Sequence, residues 1–122
     1  MLDVNALNTE VVAIDTADAV TDTNTNVVGG TQEAAEVTVT ATAGSAINIL
    51  IDTVVDGAGY ALSGFVCKYD VGVEAACDSN LAIAGGSVVS SGPLLIGASL
   101  TADGTAVAGA ANGSFVVNVD YQ

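Results

Sequence analysis

Two cysteines, Cys67 and Cys77, are the side chains of this sequence most able to form a covalent cross-link. Closing the short loop between them would contribute roughly 2.5–3 kcal/mol to stability. An even number of cysteines in a small β-rich domain is typical of a disulfide formed in an oxidising compartment. We therefore predict a Cys67–Cys77 disulfide, with two buried thiols in a cytosolic protein as the alternative.

Basic side chains are almost absent, since Lys68 stands against 14 acidic residues and the formal net charge is −13. The chain has no His and no Arg, so it lacks imidazole for acid–base or metal chemistry and the fork that grips phosphate. One cation cannot neutralise a nucleic-acid backbone or an anionic membrane surface. We predict a protein that is not an enzyme, uses no cofactor and binds no nucleic acid.

Acidic residues cluster near the N-terminus, where Asp15, Asp18 and Asp22 are followed by Asn24 and Asn26. This run lacks the ligand spacing and the bidentate Glu of an EF-hand loop. We interpret it as a solvated strand edge or loop. The three aspartates remain weak calcium candidates, and no metal site is predicted.

The sequence also bears on location. No stretch approaches the ~18–20 apolar residues that cross a bilayer, so no membrane insertion is expected. The first residues, Met1–Val4, show neither a basic nor an apolar signal region. The chain is therefore interpreted as cytosolic, or as a mature secreted protein whose signal peptide has gone. Asn112 begins a glycosylation sequon, which we interpret mainly as a hairpin turn.

Most of the chain alternates apolar and polar residues at the period of two that is typical of β-strands. Gly-rich, Asn-Gly and Asp-Gly pairs separate these segments and are typical of tight turns. We predict one β-sandwich domain over residues 1–122, all-β and antiparallel. The predicted strands are 10–14, a weak strand at 19–28, 36–42, 46–52, 60–69, 81–83, 87–90, 94–102 and 114–121.

The last predicted strand has the clearest pattern, because Phe115, Val117, Val119 and Tyr121 share one face. Earlier strands place Ile47, Ile49 and Ile51 together, then Phe65, Cys67 and Tyr69, then Leu94, Ile96, Ala98 and Leu100. These faces are the predicted core.

The N-terminal segment, residues 1–14, alternates in the same way and has two interpretations. Its apolar positions are Leu2, Val4, Ala6, Val12 and Ile14. The segment is either the first strand of its own sandwich or a donor strand that pairs with an open edge of a neighbouring subunit.

The C-terminal third resembles a known group of secreted bacterial β domains. The resemblance lies in Gly97–Thr101, Ala106–Ala111 and the alternating run Gly113–Gln122. These segments are similar to the ends of DUF4402 and spore-coat-U-like domains, which are related to chaperone–usher pilins. The resemblance implies an immunoglobulin-like sandwich completed by a donor strand, here within Leu2–Ile14. It places Phe115, Val117, Val119 and Tyr121 at the edge of the acceptor groove.

The function expected from this resemblance is that of a pilin, the structural subunit of an extracellular filament or fimbria. Its partners would be copies of itself, with a periplasmic chaperone and an outer-membrane usher during assembly. A monomeric surface adhesin or carbohydrate-binding module is the alternative from another class. A TasA-like fibre or archaeal bundling-pilus subunit is a structural neighbour of the first hypothesis.

Overall fold

The computed structural model describes residues 10–22, 33–57, 59–102 and 113–122. These residues form an antiparallel β-sandwich, which confirms the predicted fold class. The strands are β1 (Glu10–Ile14), β2 (Val20–Asp22), β3 (Ala35–Thr40), β4 (Ile47–Val55), β5 (Tyr60–Tyr69), β6 (Ala75–Ala76), β7 (Leu81–Ile83), β8 (Ser91–Ala102) and β9 (Ser114–Tyr121). Within these ranges, no helix has the length and hydrophobicity needed to cross a membrane.

The strands form two sheets that pack face to face. The larger sheet has the order β2-β1-β8-β5-β6, and β3 also pairs with β8. Strands β1 and β3 share one edge of β8, because β1 pairs with Ala98–Ala102 and β3 with Ser91–Ile96. The smaller sheet has the order β7-β4-β9.

Aliphatic side chains from both sheets fill the space between them. The fully buried residues include Ile49 of β4, Leu94 of β8 and both cysteines. The rings of Phe65 and Phe115 meet across the sheets with centroids 5.0 Å apart. The core faces predicted for β4 and β5 are therefore confirmed, because β-branched and aromatic residues at every second position point to one side of a strand.

Several segments differ from their predictions, including β4, which continues to Val55, and β8, which begins at Ser91. Residues 87–90 do not form a strand: Gly85–Ser87 is a single 3₁₀ turn, and the carbonyls of Val88 and Ser90 after it accept the N–H groups of Gly44 and Ala41 in the β3–β4 turn. The β3–β4 turn also lies close to Gly85, where an added Cβ would collide with the Gly44 backbone. The weak strand at 19–28 is observed as Val20–Asp22, and its remainder lies outside the described residues.

Candidate functional site: an open groove between two strand edges

The free edge of β9 is one side of the candidate site. Among the described strands, β9 pairs with β4 alone. The Ile51 N–H bonds to the Cys77 carbonyl at 2.8 Å and Gln122 N–H to the Ala46 carbonyl at 3.0 Å. The Ile51 N–H points away from β9, so Ile51 and its partner Val117 are not hydrogen-bonded to each other. Backbone groups alternate sides along an antiparallel strand, so every second residue of β9 is bonded to β4 and the residues between them are not. The N–H and C=O groups of Val117 and Val119 point away from β4, toward the open side.

The free edge of β3 is the other side. Among the described strands, β3 pairs with β8 alone. Thr38 lies opposite Pro93, whose carbonyl accepts the Asp70 N–H at 2.8 Å on the far side of β8. Pro93 therefore turns its backbone away from β3, and the N–H and C=O of Thr38 point outward by the same alternation. Both edges present backbone donors and acceptors to the space between them.

That space is a cleft of about 400 Å³, which we call the seam groove. Its lining includes Val37 and Val39 of β3, Ile47 at the start of β4, and Val117 and Val119 of β9. The two β9 valines pack against the core and are only half-buried, because the groove lies beside them. The site therefore combines an aliphatic floor with two strand edges, which is the combination that an added β-strand needs.

The two edges run in the same direction. Strand β3 ends where the turn into β4 begins, and β9 is antiparallel to β4 and ends opposite Ile47. Both edges thus finish at the Thr42–Tyr121 end of the groove. A strand lying between them would pair in the same sense with both edges, either antiparallel to both or parallel to both.

Tyr121 crosses the groove at this end. Its phenol oxygen accepts the Thr42 N–H at 2.8 Å and lies 3.2 Å from the Thr42 hydroxyl, to which it donates. The Thr42 hydroxyl can rotate to donate to the phenolate, and together with the Thr42 N–H it holds the pKa of Tyr121 below its ordinary value. The ring links the smaller sheet to the β3–β4 turn.

The opposite side of the sandwich is closed by the main chain. Cys77 donates its N–H to the Phe65 carbonyl of β5 and accepts the Ile51 N–H of β4, so its backbone joins the two sheets. The predicted Cys67–Cys77 disulfide is present, with Cα atoms 5.8 Å apart and both residues fully buried. The two sheets are therefore joined on one side by the backbone hydrogen bonds of Cys77, which the disulfide holds against β5, and they are separated by a groove on the other side.

A second cleft, of about 550 Å³, lies between the 70–75 loop region and β7. Its strand edges are short, since β6 has two residues and β7 three. Val71 and Val73 at its rim are 92% and 85% exposed. Because neither edge can pair with a strand of ordinary length, the seam groove is the stronger candidate site.

The predicted acceptor residues lie at or beside the groove. Val117, Val119 and Tyr121 line it, while Phe115 packs against Phe65 in the core. Phe115, Val117 and Val119 pack against the core, as predicted for their shared face. Tyr121 does not, because it is 58% exposed and its phenol oxygen bonds to Thr42.

The predicted donor segment is divided by the structure. Val12 and Ile14 lie in β1, where they pair with β2 on one side and β8 on the other. Both edges of β1 are thus already used within the same chain, so residues 10–14 follow the first interpretation, a strand of their own sandwich, and the assignment of Val12 and Ile14 to a donor strand is corrected. Leu2, Val4 and Ala6 lie outside the described residues.

The acidic run near β1 has a local structural role. Asp15 accepts the N–H groups of Ala17 and Ala19 at 2.8 and 2.9 Å, and Asp18 accepts the Ala34 N–H at 2.7 Å. These bonds shape the turn between β1 and β2. Among the described residues, Asp15, Asp18 and Asp22 do not belong to a group of three or more possible metal ligands. Asn112, the glycosylation candidate, lies outside the described residues.

Sequence reasoning missed the β3 side of the groove and the Tyr121–Thr42 contact. The alternation of Val37 and Val39 with threonines predicts a strand but does not show which of its edges is paired. The Thr42 partner is 79 positions from Tyr121, and no local pattern indicates such a contact.

Comparison with known proteins gives a family but no named relative. Residues 4–121 match the family described as a domain of unknown function, DUF4402. Neither the curated proteins nor the solved structures contain a significant match to the chain. Since the match spans nearly the whole sequence, the chain belongs to the DUF4402 family.

Proposed function

We propose that this protein is a structural subunit of an extracellular filament, in which the seam groove receives a β-strand from a neighbouring copy. The observation that carries the proposal is the groove itself, where two free strand edges flank an aliphatic floor. Natural proteins block or use such edges because they pair readily with other chains. A strand added here would join β3 to β9 and complete the sandwich.

Residues 1–9, which we call the N-terminal arm, are the donor in this proposal. Leu2, Val4 and Ala6 alternate with polar residues, so one face of an extended arm is apolar. Full burial of Leu2 and Val4 would contribute roughly 1.5–3 kcal/mol each. Main-chain hydrogen bonds to both edges would add to this term. The arm stops before Glu10, where β1 begins to pair within its own chain.

The position of Glu10 supports donation to another copy. Glu10 lies opposite Ala102, whereas the β3 wall of the groove lies opposite Ser91–Ile96 at the other half of β8. A chain that extends β1 backwards from Glu10 therefore moves away from its own groove. Reaching a neighbouring groove requires no reversal of direction.

The remaining chemistry agrees with an exported subunit. The buried disulfide suits an oxidising compartment. The net charge of −13 favours solubility and opposes non-specific contact between copies. Before assembly the groove needs a cover, which is the role that a periplasmic chaperone has in the related pilins.

The first test is truncation of the arm. The variant lacking residues 1–9 keeps β1, so it tests donation without removing a strand of the sandwich. Removal of residues 1–14 would remove both the arm and β1. We expect the full chain to form filaments in negative-stain electron microscopy and the truncated chain to stay monomeric. Addition of a peptide with the sequence of residues 1–9 should raise the melting temperature of the truncated chain.

A matched pair of point variants tests the groove. Val37 lines the groove and is 38% exposed, and Val116 lies on the outer face of β9 and is 43% exposed. Both are valines on edge strands, so Val37→Asp and Val116→Asp alter charge and strand propensity alike. We expect Val37→Asp to abolish assembly and Val116→Asp to preserve it, with similar melting temperatures.

Three outcomes would refute the proposal. One is a full-length monomer with the same melting temperature as the truncated chain. Another is equal assembly of Val37→Asp and Val116→Asp. The third is a closed dimer in light scattering, because two copies that exchange arms reciprocally cannot extend into a filament.

A further inference from the structure

The Tyr121 ring closes one end of the seam groove without being held there by burial. It is 58% exposed, and its described contacts are the two hydrogen bonds to the backbone and hydroxyl of Thr42. The next residue, Gln122, holds the end of β9 against β4: its N–H donates to the Ala46 carbonyl and its side-chain amide donates to the Ile47 carbonyl. The end of β9 is therefore anchored, and its tyrosine is aimed across the groove.

We infer that Tyr121 is a stop that sets the register of the inserted strand, an inference that rests on the proposed function. Register along a free strand edge is weakly specified, because a slip of two residues keeps every side chain on the same face. The arm alternates Leu2, Val4 and Ala6, so a two-residue slip still presents apolar side chains to the groove. A bulky side chain across one end of the groove removes that freedom.

The stop also fixes the direction of the strand. A donor arm continues into the folded body of its own subunit, and that connection leaves the groove through the end that Tyr121 does not cross. The arm then lies with its N-terminal part against Tyr121. Since β3 and β9 both run toward Tyr121, the arm is antiparallel to both edges, which is the slightly more stable pairing.

Cysteine cross-linking measures the register of the inserted arm. It uses two subunits, one that can only donate its arm and one that can only accept an arm. The donor carries Val37→Asp to block its own groove and one cysteine at Leu2, Val4 or Ala6. The acceptor lacks residues 1–9 and carries Val119→Cys. A disulfide forms only when the Cα atoms lie within about 7 Å, so the residue opposite Val119 is the one that cross-links. The native cysteines are already bonded to each other and fully buried.

With Tyr121 in the acceptor, we expect one of the three donors to give most of the cross-linked product. With Tyr121→Ala, the main product should move to the donor position two residues later, as the arm slides past the former stop. Tyr121→Phe keeps the ring but loses both hydrogen bonds, and we expect a mixture of the two registers. Thr42→Ala keeps the backbone bond to Tyr121 and should retain the original register.

The outcomes separate this inference from the proposed function. No cross-link from any donor position means that the arm does not enter the groove, and the proposed function fails. Cross-linking with the same register in Tyr121→Ala supports donation and overturns the stop. If the register is unchanged in Tyr121→Phe, the hydrogen bonds to Thr42 are not what holds the ring across the groove, and that part of the inference is overturned. Thermal melts of each acceptor check that the sandwich is intact, as the exposed ring contributes little to the core.

Discussion

Removal of the disulfide should destabilise the sandwich by a predictable amount. The proposed variant replaces both Cys67 and Cys77 by alanine, so that no unpaired thiol remains. The bridge closes a loop of 10 residues. The chain-entropy relation gives about 9 cal/mol/K for this loop length, or about 2.7 kcal/mol at 25 °C. This is a large part of the 5–15 kcal/mol that typical domains have.

The same figure can be converted into a melting temperature. An unfolding entropy of about 2.1 cal/mol/K per residue gives roughly 0.26 kcal/mol/K for a chain of 122 residues. A loss of about 2.7 kcal/mol then corresponds to a fall of roughly 10 °C. The reduced wild-type chain is the matched control, because it loses the bridge but keeps both sulfur atoms in the core.

Urea unfolding followed by circular dichroism gives the free energy directly. We expect the alanine variant to lose at least as much stability as the reduced wild type, since it also loses buried sulfur. The reasoning requires that the native bridge resist reductant until the protein unfolds, because both residues are fully buried. A loss below about 1 kcal/mol would show that the bridge does not restrict the unfolded chain as the relation assumes. Rapid reduction of the native protein would contradict the burial.

Three further outcomes are expected, all in the subunit that lacks residues 1–9. Gly92→Ala should cost about 1–3 kcal/mol in urea unfolding, because a Cβ there would lie 2.6–2.7 Å from the buried Tyr69 ring and hydroxyl; an unchanged stability would mean that the ring can move aside. Replacing Val71 and Val73 by serine should change stability by less than about 0.5 kcal/mol, as both are almost fully exposed. Ultraviolet titration should show one tyrosine ionising below the ordinary pKa, and this phase should vanish in Tyr121→Phe, because the bonds from Thr42 favour its phenolate.

The strands and their inward faces were predictable from the sequence where alternation is strong. Strands β1, β5 and β9 begin and end as predicted, and Ile47, Ile49 and Ile51 face the core. These features depend on local geometry, because successive side chains of a strand point to opposite sides. Strand β8 begins at Ser91, three residues before its predicted start at Leu94, and the added residues include Gly92 and Pro93, which are uncommon inside strands.

Pairing between strands was not predictable in the same way. Residues 10–14 have the alternation of a donor strand and that of an ordinary strand, and the structure pairs them within the chain. The choice depends on contacts with residues about 90 positions away, such as that of Val12 with Leu100. The exposed position of the Tyr121 ring has the same origin, because its partner Thr42 is far away in sequence.

The difference between the two sides of the sandwich carries the functional argument. On the Cys77 side, the backbone of Cys77 bonds to β4 and β5, and the disulfide holds Cys77 against β5, so the described residues close that side. On the other side, Val117 and Val119 pack against the core but keep part of their surface and their outward backbone groups in the groove. Burying that surface and pairing those groups requires one more strand, and β1 is already committed to β2 and β8. The described strands leave none to supply it. In the proposed function that strand comes from a neighbouring copy, and the alternation of Leu2, Val4 and Ala6 is the sequence feature that suits the N-terminal arm to this role.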